Sequence, residues 1–109
     1  MPRPKKTRFV SGYPTISAFV PQGIPQTGEL GLSIEGLEAL RLSDFEGLDQ
    51  ETAANIMAVS RQTYGRILGE ARRTVSEALV TGKALSVGGG NYCLRREEGG
   101  RRRRRRRGW

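Results

Sequence analysis

Apolar residues recur at helical spacing through the second half of the chain. Between residues 60 and 81 they fall at steps of three and four, which gives one narrow apolar stripe. The members of this stripe are Tyr64, Ile67, Leu68, Ala71, Val75, Ala78 and Leu79. Because a helix turns by about 100° per residue, Gln62, Arg66, Gly69 and Arg73 come together on the opposite side. The pattern predicts a long helix with Gln and Arg side chains along its exposed face.

A shorter helix is predicted immediately before this one, at residues 50–57. Asp49 and Ser60 precede the two helices, where a side-chain oxygen can accept a backbone N–H that has no helical partner. Ala58 and Val59 form the turn between the helices. This arrangement predicts a helix-turn-helix whose second helix is long. Two helices joined by a tight turn also occur as a plain helical core, and the pattern alone leaves both interpretations open.

Another helix is predicted from Ser33, as its cap, through residues 34–45. Its apolar residues form a broad stripe, and Arg41 falls inside that stripe. We expect Arg41 to extend its charged end to solvent, or to pair with Glu38 or with Asp44, each three residues away.

Proline and glycine dominate residues 9–32, which contain three prolines and four glycines. Proline removes amide donors, so irregular or short extended structure is expected there. Its apolar residues are expected to lie on the helical core; they are Ile16, Phe19, Val20 and Ile24. Apolar and polar residues alternate over residues 83–87, which predicts an extended segment or a small wing. A flexible link is expected after it.

The predicted fold is all-α: a helix-turn-helix domain at residues 33–87. Residues 1–32 are expected to be a basic arm and an irregular segment. Residues 88–109 are expected to be a flexible linker and an Arg-rich tail, disordered because its like charges repel.

Net charge is concentrated at the two ends of the chain. The total is +8, with +4 in residues 1–8, +7 in residues 95–109 and −3 between them. Within the middle part, acidic residues gather before the predicted turn and arginines after it. This separation suggests one face for an anionic polymer and another turned away from it.

The residue inventory excludes several classes of chemistry. The chain has no histidine and a single cysteine, Cys93, so catalysis through histidine, an internal disulfide and a Cys-rich zinc site are not expected. No cofactor or metal is predicted. No segment resembles a membrane span or a signal peptide, so the expected location is the cytoplasm. An enzyme is the least favoured class.

Candidate nucleic-acid contacts fall into two groups. The first group is expected to bind duplex DNA through the second helix of the motif. Ser60 is expected to place the N-terminus of this helix at a phosphate. Contacts to bases or phosphates are expected from Arg61, Gln62, Thr63 and Arg66, and contacts to the DNA backbone from Arg72 and Arg73. The second is expected to contact phosphates without sequence preference. It comprises Arg3, Lys5, Lys6, Arg8, Arg101, Arg102, Arg103, Arg104, Arg105, Arg106 and Arg107.

Several sequence blocks resemble one family of small predicted DNA-binding proteins of bacteria and archaea. They are MPRPKK at 1–6, FVPQGIP at 19–25, LEALRLSDFEGLDQ at 37–50, VSRQTYGRIL at 59–68, ARR at 71–73 and GKAL at 82–85. The family is uncharacterised protein family 0251, also called domain of unknown function 134. Residues 37–79 are also similar to region four of bacterial sigma factors. The resemblance implies a helix-turn-helix fold and a role in transcription.

Two departures from the resemblance matter. Ala58 stands where helix-turn-helix proteins usually place Gly, which predicts a strained turn or a turn of another form. Cys93 stands alone, so no zinc site is implied by relatives that carry paired cysteines.

Other partners remain open at this stage. One alternative interpretation is an RNA-binding or ribosome-associated protein that uses its arginine tail. It also fits a module that docks on RNA polymerase through the acidic helix at residues 34–45. A second copy of the chain is a further candidate partner, because a domain this small buries little surface alone.

Overall fold

Three helices and five short strands make up the described part of the chain. The computed structural model describes residues 8–12 and 16–89, together with the backbone of 92–94. The helices are α1 (Ile34–Leu40), α2 (Gln50–Met57) and α3 (Arg61–Thr81), and a π-helical turn at Arg41–Phe45 follows α1 directly. The strands are β1 (Arg8–Val10), β2 (Ala18–Phe19), β3 (Glu29–Leu32), β4 (Ala84–Val87) and β5 (Tyr92–Leu94).

The strands form two small sheets, so the prediction of an all-α fold is wrong. In the larger sheet β4 lies between β2, which is antiparallel to it, and β3, which is parallel. β1 and β5 form a parallel pair. In the described parts of residues 9–32, strands of two to four residues alternate with irregular backbone, as predicted. Strands of that length show too few alternations to be recognised by periodicity.

Small residues allow α1 and α3 to approach closely. Ser33 caps α1, because its Oγ accepts the N–H of Gly36 at 3.0 Å. A Cβ added at Gly36 would lie 3.3 Å from the Cβ of Ala71 on α3. Glycine at this position therefore sets how near the two helices come.

The core consists of two clusters on either side of this contact. One joins the three helices and contains Ala39, Leu42, Ala53, Ala54, Met57, Tyr64, Ile67 and Leu68. The other packs the sheet against the second half of α3 and contains Leu32, Ala71, Ala78 and Leu85. One face of α3 thus serves both clusters, which holds the helix in a fixed rotation about its axis.

A buried carboxylate ties β1 to the first helix. Glu38 is fully buried, and it accepts hydrogen bonds from Arg41 Nε at 3.0 Å and from Ser11 Oγ at 3.0 Å. Arg41 also donates to Glu46 at 3.1 Å. The predicted ion pair between Arg41 and Glu38 is confirmed. Asp44 is not the partner of Arg41, because its carboxylate pairs with Arg72.

Tyr64 connects α3 to the end of the first helix. Its buried hydroxyl donates to the carbonyl of Ala39 at 3.0 Å and shares a hydrogen bond with Ser43. Burial raises the pKa of Tyr64, so the phenol stays protonated. This contact lies beside the π-helical turn at Arg41–Phe45. In that turn the N–H of Glu46 donates to the carbonyl of Arg41, five residues earlier.

Some predicted core residues lie at the surface instead. Ile16, Phe19, Val20 and Ile24 are exposed, so the expectation that they cover the helical core is wrong. Leu79, the last member of the α3 stripe, is also exposed, because the helix extends past its last buried residue, Ala78.

Candidate nucleic-acid interface

A turn at residues 58–60 joins α2 to α3. Ala58 has φ +59° and ψ +43°, in the left-handed region. Its N–H donates to the carbonyl of Asn55 at 3.1 Å, and the N–H of Val59 donates to the carbonyl of Ala54 at 3.0 Å. These two bonds form a Schellman motif, which usually contains glycine at the left-handed position. The predicted strain at Ala58 is confirmed, since a Cβ is unfavourable in this conformation.

Both predicted caps of the two-helix unit are confirmed. Asp49 Oδ1 accepts the N–H of Thr52 at 2.7 Å, and Ser60 Oγ accepts the N–H of Thr63 at 3.0 Å. The backbone hydrogen bond from Thr52 lowers the pKa of Asp49. The Ser60 hydroxyl also donates to Thr63 Oγ1 at 3.0 Å. Thr63 is half-buried, so this contact directs its hydroxyl toward the cap.

Gln62, Arg66 and Arg73 lie on the exposed side of α3, as their spacing predicts. We call these three residues the polar row. At about 1.5 Å of rise per residue, the row extends over roughly 16 Å of the helix. Arg61, which is also exposed, and the row's two arginines form no ion pair with any other described residue. Their guanidinium groups are therefore available to an external acceptor.

The two glycines of α3 have different surroundings. A Cβ added at Gly69 would meet nothing within 4 Å, so the surface between Arg66 and Arg73 is open and flat. A Cβ at Gly65 would lie 3.6 Å from Gln50 Oε1. Gly69 thus leaves room for a phosphate backbone, whereas Gly65 faces α2.

Arg72 is exposed but already has a partner. Its Nε and Nη2 donate to the two carboxylate oxygens of Asp44, at 3.1 and 2.7 Å. The hydrogen bond from Arg72 lowers the pKa of Asp44. A phosphate at this position would have to compete with Asp44. This pair could not be predicted from the sequence, because 28 residues separate Arg72 from Asp44 and only their opposite charges connect them.

The predicted basic arm ends before β1. Arg8 lies in β1 and is only 5% exposed, so its inclusion among the surface contacts is wrong. β1 pairs with β5 and packs against α1 and α2, and a count of charges cannot reveal such packing. The other candidates of the arm and the tail, Arg3, Lys5, Lys6 and Arg101 to Arg107, lie outside the described residues.

The described helices offer neither a metal site nor a membrane span. Within residues 8–12 and 16–89, no three side chains of His, Cys, Asp or Glu are grouped so as to hold a metal ion. In the same part of the chain, none of the helices has the length and apolar character needed to cross a membrane.

Comparison with known proteins gives consistent matches. The model of the family described as "Protein of unknown function DUF134" matches residues 1–95. A UPF0251 protein of Thermoanaerobacter sp. strain X514 is 51% identical over 94 residues, covering 84% of this chain and 83% of that protein. A UPF0251 protein of Desulfosudis oleivorans is 48% identical over 94 residues, covering 84% and 68%. No solved structure matches significantly.

Proposed function

This chain belongs to the DUF134 family, and we propose that it is a sequence-specific double-stranded DNA-binding protein that regulates transcription. In this proposal α2 and α3 act as a helix-turn-helix, and α3 enters the major groove. The role is binding rather than catalysis, and it is carried out in the cytoplasm.

The observation that carries the proposal is the polar row. Gln62 and Arg66 lie about 6 Å apart on a helix whose opposite face is packed into both core clusters. A rigid helix can hold the two-pronged geometry that Arg needs to bind guanine and that Gln needs to bind adenine. The unpaired state of Arg61, Arg66 and Arg73 within the described residues supports an anionic partner.

The start of α3 supports a phosphate contact. Ser60 uses its side chain to satisfy the N–H of Thr63. The N–H groups of Arg61 and Gln62 have no acceptor within the helix, because the first turn lacks preceding carbonyls. Together with the helix dipole, they favour a phosphate at this position. Arg73, farther along the row, is proposed to contact the DNA backbone, and Arg72 does so if a phosphate displaces Asp44.

A second candidate is docking on RNA polymerase. Phe45 is 81% exposed and lies between Asp44 and Glu46, which are both exposed. Arg72 and Arg41 already pair with these two carboxylates. The exposed aromatic ring therefore carries this candidate role, since it fits an apolar protein surface. This role is compatible with DNA binding, because Phe45 is outside α3.

One affinity comparison tests the main proposal. Binding sites are first selected from a random pool of duplex DNA, and affinity is then measured on a selected and a scrambled site. Replacing Gln62 and Arg66 with Ala is expected to lower the affinity for the selected site toward the non-specific level. Each good base contact contributes about 1–3 kcal/mol of discrimination.

Two controls separate the row from the tail. Deleting residues 101–109 should weaken binding to both sites alike and flatten the salt dependence. The double variant Gln26→Ala/Arg107→Ala loses the same two residue types outside α3, and its preference for the selected site should persist. If tail deletion abolishes the preference while the row variant keeps it, the proposed reading helix is wrong. Stronger binding to RNA than to duplex DNA in competition would favour the RNA-binding alternative.

A further inference from the structure

We propose that the chain forms a symmetric homodimer through an apolar surface at the C-terminal end of α3. This surface, the end patch, consists of Phe19, Val20, Ile24, Leu79 and Val80. These five side chains are each between 58% and 84% exposed. The proposal identifies a partner surface in the protein whose DNA-binding function is proposed above, but the contact itself does not require DNA.

The size of the end patch matches what a dimer needs. The exposed fractions of its five residues are equivalent to about three fully exposed residues. An extended chain exposes roughly 160 Å² per residue, so each copy offers on the order of 500 Å². Two copies together reach roughly 1,000 Å², which is the lower limit for a specific interface. A patch of this size lies toward the upper end of what a typical monomer exposes, and such patches are often functional.

The shape of the end patch suits a second copy. A symmetric dimer uses the same surface on both partners, so that surface must be complementary to itself. The end patch combines a recess with a projection. The recess is a groove of about 370 Å³ lined mainly by apolar residues, including Phe19, Ile24, Leu79 and Leu85. The projection is taken to be Val80, which follows the groove-lining Leu79 on α3, is 84% exposed and does not itself line the groove.

The charges beside the groove also permit self-association. Lys83 is the charged residue among those that line the groove. Its Nζ donates to Glu77 Oε2 at 2.8 Å, and the ammonium group lowers the pKa of Glu77. Two such patches can therefore face each other without bringing unpaired like charges together.

The end patch lies far enough from Gln62 and Arg66 to leave both residues free, whereas Arg73 is only about 10 Å from Val80 along α3. Arg66 and Val80 are 14 residues apart on α3, which corresponds to about 21 Å. A copy bound at Val80 would not cover Gln62 or Arg66. Dimerisation and DNA binding are thus spatially separate.

Sedimentation equilibrium of the full chain without nucleic acid tests the interface. The parent protein is compared with Leu79→Glu/Val80→Glu, which places two charges in the patch, and with Phe45→Glu. Phe45 is the matched control, because it is as exposed as Val80 but lies outside the patch. We expect the parent and Phe45→Glu to dimerise alike, and the double variant to dissociate more than about tenfold more readily.

Circular dichroism shows whether each variant keeps its helices, as expected for substitutions at exposed positions. A parent that stays monomeric through the micromolar range overturns the proposal, and the patch is then covered by another protein or by terminal residues of the same chain. Equal dimerisation of the parent and the folded double variant also overturns it. If the chain dimerises through the patch but does not bind DNA, the interface is supported and only the proposed DNA-binding function is contradicted.

Discussion

Ala58 carries most of the conformational strain that can be attributed to one residue. Among the described residues it alone has a positive φ without being glycine. The turn keeps both hydrogen bonds of the Schellman motif nonetheless. The strain is offset by the packing of α2 against α3, which fixes the path of the backbone on either side.

Replacing Ala58 with Gly should stabilise the protein. Relief of the left-handed Cβ outweighs the greater freedom of glycine in the unfolded chain, and we expect a gain of about 0.5–1 kcal/mol. Denaturant unfolding of the parent and the variant measures it. The reverse change, Gly47→Ala, is the control: Gly47 has φ +78°, and an added Cβ there meets nothing within 4 Å. It should lower stability by a similar amount. If Ala58→Gly leaves the free energy of unfolding unchanged or lowers it, the inference that Ala58 is strained is wrong.

Residue-level predictions succeeded where the cause was local. Ser33, Asp49 and Ser60 were predictable as caps, because each bonds an amide three residues ahead. Arg41 had two carboxylates at equal spacing, and only the burial of Glu38 selected between them. Sequence spacing cannot measure burial by other elements.

Among the elements, α3 was the most predictable and the strands were the least. The stripe of α3 spans about four turns and fixes which face is buried, so the exposure of the polar row followed directly. β2 has two residues, and it exists because β4, more than sixty positions later, lies beside it. Pairing of that kind depends on tertiary structure and leaves no local pattern.

The cap of α2 makes a defined contribution to the acid stability of the protein. The folded-state pKa of Asp49 is lowered, chiefly by the N–H of Thr52. The cap's contribution is therefore complete above the ordinary aspartate pKa of about 3.9, and it is lost as pH falls through the lowered value. Asn at this position keeps a capping oxygen that does not titrate.

Thermal unfolding of the parent and Asp49→Asn between about pH 6 and about pH 2 tests this. Both proteins should lose stability in acid, since Asp44 and Glu77 also have lowered pKa values. We expect the difference between their melting temperatures to shift in favour of Asp49→Asn as pH falls. A constant difference would mean that Asp49 does not contribute through its charge.

At the scale of the whole molecule, the proposed roles occupy separate regions. The polar row extends from the first turn of α3 to Arg73, and the end patch begins where α3 passes the core at Ala78. One rigid helix, α3, carries the polar row and part of the end patch. The way two copies join at their end patches therefore determines the distance between their polar rows. Dimer geometry therefore limits the spacing of the DNA sites that two rows can contact.

This limit predicts the arrangement of the binding site. Each Arg66 lies about 21 Å along α3 from Val80, so two rows joined at the end patches are at most roughly 40–50 Å apart. Successive major grooves on one face of DNA are about 34 Å apart, which lies within this limit, whereas two turns do not. We expect selected sites to be inverted repeats with centres about 10 base pairs apart.

Changing the spacing of a selected site by about half a helical turn tests the prediction. The change moves one half-site to the opposite face of the duplex, so affinity should fall toward that of a single half-site. The variant Leu79→Glu/Val80→Glu should bind sites of every spacing with the affinity of a single half-site, because its copies, and so their polar rows, are no longer joined. Parent binding that is insensitive to spacing, or selected sites without inverted symmetry, would show that the two rows do not contact DNA as a pair.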